Sequence, residues 1–211
     1  RVWAGMAKET AHQLGTPISS LMAWIELFKS DAKFSKHPAV PEIEKDIHRL
    51  ETVTARFSSI GSVPVLKEEN IESVVRDVVG YLQNRISKMV SMEIQSSLPF
   101  ETTVKLNKPL FEWVIENLCK NAVDAMNGKG KLTLSFQKDE LGRVILDIAD
   151  TGKGIAPNKL KKVFHAGFTT KQRGWGLGLT LAKRIIESYH NGRIFVKSSE
   201  VDKGTTFRIV L

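Results

Sequence analysis

The stretch Val144-Ile145-Leu146-Asp147-Ile148-Ala149-Asp150-Thr151-Gly152-Lys153-Gly154-Ile155 changes character at Asp150. Up to Ala149 it has the β-branched and apolar composition of a strand. From Asp150 it offers a carboxylate followed by two glycines. A carboxylate at a strand end can accept a hydrogen bond, for example from an exocyclic amine, and glycines let the backbone approach a ligand closely. Asp-x-Gly is also common turn chemistry, so the stretch takes its meaning from its surroundings.

Working outward, residues 132–137 form the partner strand of a hairpin across Asp139 to Gly142. Residues 109–126 read as a helix stopped by Asn127-Gly128, and 90–96 and 102–106 alternate as strands. Ile71, Val74, Val75, Val78, Val79 and Leu82 have helical spacing within 71–85, preceded by a short edge strand at 65–70. Downstream, 177–190 is helical, and 193–198 and 205–210 are strands around Asp202-Lys203-Gly204. Helices and strands mix without a regular strand–helix–strand repeat. This predicts an α+β sandwich over 65–211.

Residues 1–61 follow a different period. Ala4, Ala7, Ala11, Leu14, Ile18, Leu21, Ile25 and Phe28 recur at steps of three and four, the seam of a helix packed nearly parallel to others. A break at 30–41 carries His37-Pro38 and Val40-Pro41. A second seam runs through Ile43, Ile47, Leu50, Val53 or Thr54, Phe57 and Ile60, and Gly61 supplies a stop. Two helices alone bury too little apolar surface, so a long helical hairpin over 1–62 is expected to pair with a second copy as a dimeric four-helix bundle.

Composition narrows the classes. With 211 residues, 42% hydrophobic and 26% charged, the chain matches ordinary globular proteins and excludes long disorder and fibrous repeats. No apolar run reaches the roughly 20 residues that span a bilayer, so no membrane contact is expected here. One cysteine, Cys119, excludes an intrachain disulfide framework and fits a reducing, cytoplasmic setting. A net charge of +8 suits nucleic acid, an anionic surface, or an acidic protein or nucleotide ligand, and the lack of a nucleic-acid motif disfavours the first. Arg1 in place of Met predicts a segment of a longer protein.

Three further motifs join Asp150. Asn117 and Asn121, four apart on one helix, place two amides on one face, suited to a hard cation. Gly174-Trp175-Gly176-Leu177-Gly178 opens a helix, where free backbone N–H groups favour anions; the glycines do not follow a strand, which disfavours a dinucleotide fold. Gly204-Thr205-Thr206-Phe207 leads into the last strand.

In this order the motifs resemble the N, G1, G2 and G3 boxes of the ATP-binding fold shared by gyrase, Hsp90, sensor histidine kinases and MutL. The stretch 163–171 resembles the kinase F box. The resemblance implies that Asp150 with Gly152 and Gly154 holds adenine, with Thr206 nearby. It implies that Asn117 and Asn121 hold Mg²⁺ and phosphate, and that Gly174, Gly176, Leu177 and Gly178 contact the phosphates. Residues 156–173, with Lys171, would form a lid over ATP. Ala11-His12-Gln13-Leu14-Gly15-Thr16-Pro17 resembles the H box of sensor histidine kinases of two-component systems, with a dimerising hairpin before a catalytic domain.

What that resemblance implies is autophosphorylation of His12 by ATP, then transfer to an aspartate of a response-regulator receiver domain. Thr16 would orient the water that hydrolyses the regulator's phosphate, a phosphatase activity. The parent chain would be membrane-anchored, as many relatives are. Gln13 departs from the family, which places Glu or Asp there: an amide oxygen can orient the imidazole but is a poor proton acceptor. A phosphatase-dominant or nucleotide-gated switch with weak kinase activity therefore stands beside the kinase reading. A clamp ATPase using Glu116 and a serine kinase of the anti-sigma type complete the alternatives.

Overall fold

A computed structural model describes residues 2–60, 64–99, 101–168 and 176–211, without the side chains of 2–10, 12, 49, 53 and 55–60. The chain forms two compact units, Arg1–Pro64 and Val65–Leu211.

The first unit consists of α1 (Val2–Ser30) and α2 (Ala39–Ile60). Helix α1 runs uninterrupted through Pro17, although Pro17 has no N–H to bond the Gln13 carbonyl. Helix α2 begins at Ala39, inside the break expected over 30–41. Pro41 sits in its first turn, where a missing N–H costs nothing. The two helices meet through Ile18, Ile25, Val40 and Ile47, with Met22 against them. Lys29 Nζ ties them at the loop end, 2.8 Å from Glu44 and 3.0 Å from Glu26. The single expected seam divides in two. Ala11, Ile18 and Ile25, seven apart, are buried, whereas Leu14, Leu21 and Phe28 remain 45%, 44% and 39% exposed. In α2, Val40 and Ile47 are buried while Ile43 and Leu50 are exposed. One facing helix covers only one row of the stripe.

Among the described residues the second unit has seven strands: β1 (Lys67–Asn70), β2 (Val90–Ser96), β3 (Thr103–Leu106), β4 (Gly130–Lys138), β5 (Val144–Asp150), β6 (Arg193–Glu200) and β7 (Gly204–Val210). Its helices are α3 (Ile71–Gln83), α4 (Lys108–Ala125) and α5 (Gly178–Arg184), the last widening to a π-turn at Ile185–Tyr189. Strands β2, β4, β5, β7 and β6 form one sheet in that order; β1 and β3 form a separate antiparallel pair. Only the β2–β4 pair of the large sheet is parallel.

One sheet face carries the core. Leu132, Leu134, Leu146, Ile148, Ile194 and Ile209 pack with Val74, Val75 and Val78 of α3 and Phe111, Ile115 and Leu118 of α4. Asparagine caps start both long helices: Asn70 Oδ1 accepts from the Ser73 N–H and Asn107 Oδ1 from the Leu110 N–H. Buried His190 holds the α4 start from the other side. Its Nε2 accepts the Asn107 N–H at 3.0 Å, and its Nδ1–H faces the Ile185 carbonyl at 2.9 Å. On the opposite sheet face, Asp147 takes paired 2.7 Å bonds from Arg208 and one of 2.8 Å from Lys197, the extra residue of a β6 bulge.

Candidate functional site

A cavity of about 720 Å³ opens at one end of the second unit, between α4, the segment after β5, the start of α5 and the β6–β7 turn. Helix α4 supplies one wall. Asn117, Asn121 and Asp124 follow at steps of four and three, so all three project to the cavity from one face. The start of α5 stands directly across. A Cβ on Gly178 would lie 2.6 Å from Asn117 Oδ1, so only glycine lets the helix approach that amide.

Asp150 sits at the far end. It closes β5 and pairs in register with Thr205 of β7. Its Oδ1 accepts the Gly152 N–H at 2.8 Å. Burial pushes its carboxyl above the usual carboxylate range, against the pull of the Gly152 and Thr205 N–H groups. The following loop is pinned at both sides: Lys153 N–H donates to the Ala125 carbonyl of α4, and Asp202 N–H donates to the Lys153 carbonyl. Gly154 has φ +68°, and a Cβ there would lie 2.1 Å from the Glu200 carbonyl oxygen. Ile155, Val163, Phe168, Leu179 and Phe207 give the cavity apolar surface, while Lys153 and Lys159 add positive charge. Cys119, between the two asparagines, is buried away from this wall, and burial pushes its thiol up to about 12.

Of the residues singled out in the sequence, Asn117, Asn121, Asp150, Gly154, Gly176, Leu177 and Gly178 line the cavity. Gly152 does not. It serves as packing space instead, since a Cβ would fall 2.6 Å from the Ala125 backbone. Thr206 does not line the cavity either: strand alternation turns Thr205 and Phe207 to it and Thr206 to the other face. Counting by twos from the apolar pair Phe207 and Ile209 would have found Thr205. Asp124 and Lys153 were also missed, although Asp124 continues the Asn117–Asn121 stripe. Lys171 and Gly174 lie outside the described residues, as does the side chain of His12; Gln13 and Thr16 are exposed on α1 of the first unit.

The mixed sheet carries a helical layer over one face, and the cavity lies against α4 of that layer. Residues 107–211 match the family described as histidine kinase-, DNA gyrase B-, and HSP90-like ATPase. Sensor histidine kinase ZraS of Salmonella typhi is 32% identical over 212 residues, covering 98% of this chain and 45% of that protein. The catalytic domain of histidine kinase ThkA is 27% identical with a TM-score of 0.62, covering 69% of this chain and 94% of that domain. The structure of ThkA in complex with response regulator protein TrrA is 24% identical with a TM-score of 0.61, covering 98% and 60%, a likeness of fold. The chain spans 45% and 28% of the length of the curated relatives ZraS and sporulation kinase E of Bacillus subtilis. The second unit resembles the catalytic domain of histidine kinase ThkA, and the matches are consistent with a protein-histidine kinase. Among the described residues, no helix is long and apolar enough to cross a membrane.

Proposed function

We propose that this chain is the transmitter portion of a two-component sensor kinase, transferring the γ-phosphoryl group of ATP to His12 and from there to a receiver aspartate of a response regulator. The observation that carries the reading is the cavity itself. A buried carboxylate lines it together with two helix amides, of which Asn117 faces the glycine-bearing start of α5. A base with an exocyclic amine suits the Asp150 and Thr205 end. A polyphosphate suits the Asn117, Asn121 and Gly178 end, with Lys159 and Lys171 for its charge.

Among the described residues no cluster of three His, Cys, Asp or Glu could cage a metal. The amide oxygens of Asn117 and Asn121 fit Mg²⁺, a hard cation that keeps most of its waters and binds with substrate phosphates. When bound there it would supply charge neutralisation at the phosphates.

In the phosphoryl step, neutral Nε2 of His12 attacks the γ-phosphorus. The N–P bond forms as the bond to the β,γ-bridging oxygen breaks, releasing ADP. Gln13 holds the imidazole by accepting a hydrogen bond but does not take its proton, so the step is slow. The phosphohistidine then passes its group to the regulator's aspartate, and Thr16, one turn from His12, orients the water that hydrolyses the aspartyl phosphate to free phosphate and aspartate. The exposed row Leu14, Leu21, Phe28, Ile43 and Leu50 supports a homodimer through α1 and α2. A phosphatase-dominant or nucleotide-gated switch is the second reading, favoured by Gln13 alone.

Incubation with γ-labelled ATP and Mg²⁺, beside His12→Ala, tests the proposal. The expected label is acid-labile, base-stable and absent from the variant. ATP binding without label would overturn the kinase reading and leave the switch.

A further inference from the structure

Three hydrogen bonds converge on one hydroxyl beneath the cavity. Ser199 Oγ of β6 lies 2.8 Å from the Ile155 N–H of the loop after β5, 3.2 Å from the Gly204 carbonyl and 2.8 Å from Thr205 Oγ1. A serine hydroxyl has one proton to donate and two lone pairs to accept with. One assignment uses all three contacts. The Ile155 N–H must donate, and the Gly204 carbonyl must accept, which spends the serine proton. The remaining contact is then a bond donated by Thr205 to Ser199.

That assignment has a consequence at the cavity wall. Thr205 and Asp150 both line the cavity, and with its proton given to Ser199 the Thr205 hydroxyl has only lone pairs left to offer a ligand. Two neighbouring acceptors match a group with two N–H donors and repel a carbonyl oxygen. Adenine presents an amine at its six-position; guanine presents a carbonyl there.

We propose that Ser199 is a positioning residue that sets base specificity, by orienting the Thr205 hydroxyl so that the cavity accepts hydrogen bonds from an amine and rejects a carbonyl. This rests on the nucleotide reading of the cavity above. Ser199 itself touches no ligand. Replacing it with alanine frees the Thr205 proton to turn outward and donate to a carbonyl.

Competition by ATP and GTP against a fluorescent ATP analogue, with the full chain and Mg²⁺, reads the preference directly. Ser199→Ala and Ser199→Cys should each cut the ATP-over-GTP ratio roughly three- to tenfold, the worth of one neutral hydrogen bond. Ser199→Thr, which keeps the hydroxyl on a strand that tolerates β-branching, should restore the wild-type ratio. In a Thr205→Ala background, Ser199→Ala should change the ratio no further. An equal loss for both nucleotides would overturn the inference, as a merely structural bridge predicts, and so would an unchanged ratio. A wild-type chain that binds neither nucleotide would instead overturn the nucleotide reading.

Discussion

Replacing Gly154 with alanine tests how tightly the cavity floor is built. The residue has φ +68°, and the new Cβ would sit 2.1 Å from the Glu200 carbonyl oxygen. A C···O contact needs about 3.3 Å, so the loop or the β6–β7 turn must move by about 1 Å. That shift pulls apart the bonds from the Ile155 N–H to Ser199 and from the Asp202 N–H to the Lys153 carbonyl. Each is worth about 1 kcal/mol, and left-handed backbone costs alanine about 1 kcal/mol more. The whole comes to about 3 kcal/mol, and for a unit of this size about 3 °C per kcal/mol gives a fall in Tm of about 9 °C. Gly142 provides the control. It has φ +77°, but a Cβ there meets nothing within 4 Å, so Gly142→Ala carries only the backbone term, about 3 °C. Scanning calorimetry of both variants in the full chain gives the comparison, and ATP affinity should fall for Gly154→Ala alone. Equal Tm shifts would refute the close-contact argument.

Asp150→Asn separates stability from binding. Burial raises the Asp150 pKa above its unfolded value, so the ionised carboxylate costs stability at pH 7 to 8. The neutral amide keeps an acceptor for the Gly152 N–H. Tm should hold or rise by a few degrees while ATP affinity drops by roughly tenfold or more; a lower Tm would contradict the burial argument. His190 supplies the pH dependence. Burial lowers its pKa, so below about 6.5 the unfolded chain binds the additional proton and stability falls with pH. The imidazolium would also turn an N–H toward the Asn107 N–H. The urea midpoint of the wild type should fall between pH 7.5 and 5.5 by more than that of His190→Gln, and parallel curves would rule this out.

The amino-acid sequence determines a good deal by local physics. Strands β2 and β5, helix α3 and the α4 start are legible because period-two and period-3.6 patterns, with asparagine and glycine punctuation, act within a few residues. The stripe of Asn117 and Asn121 on one helix face follows from helical geometry alone. Tertiary structure decides what depends on a distant neighbour. That the face of β7 bearing Thr205, Phe207 and Ile209 meets a cavity at Asp150 is set by its register with β5. Gly152 and Gly178 owe their identity to the α4 backbone at Ala125 and the Asn117 amide, which lie far away in the chain. The seam of α1 divides into a buried and an exposed row because one helix can cover only one side of it. A sequence records which surfaces are apolar and which backbones bend, but the partner that comes within a few ångströms is chosen only when the layers close.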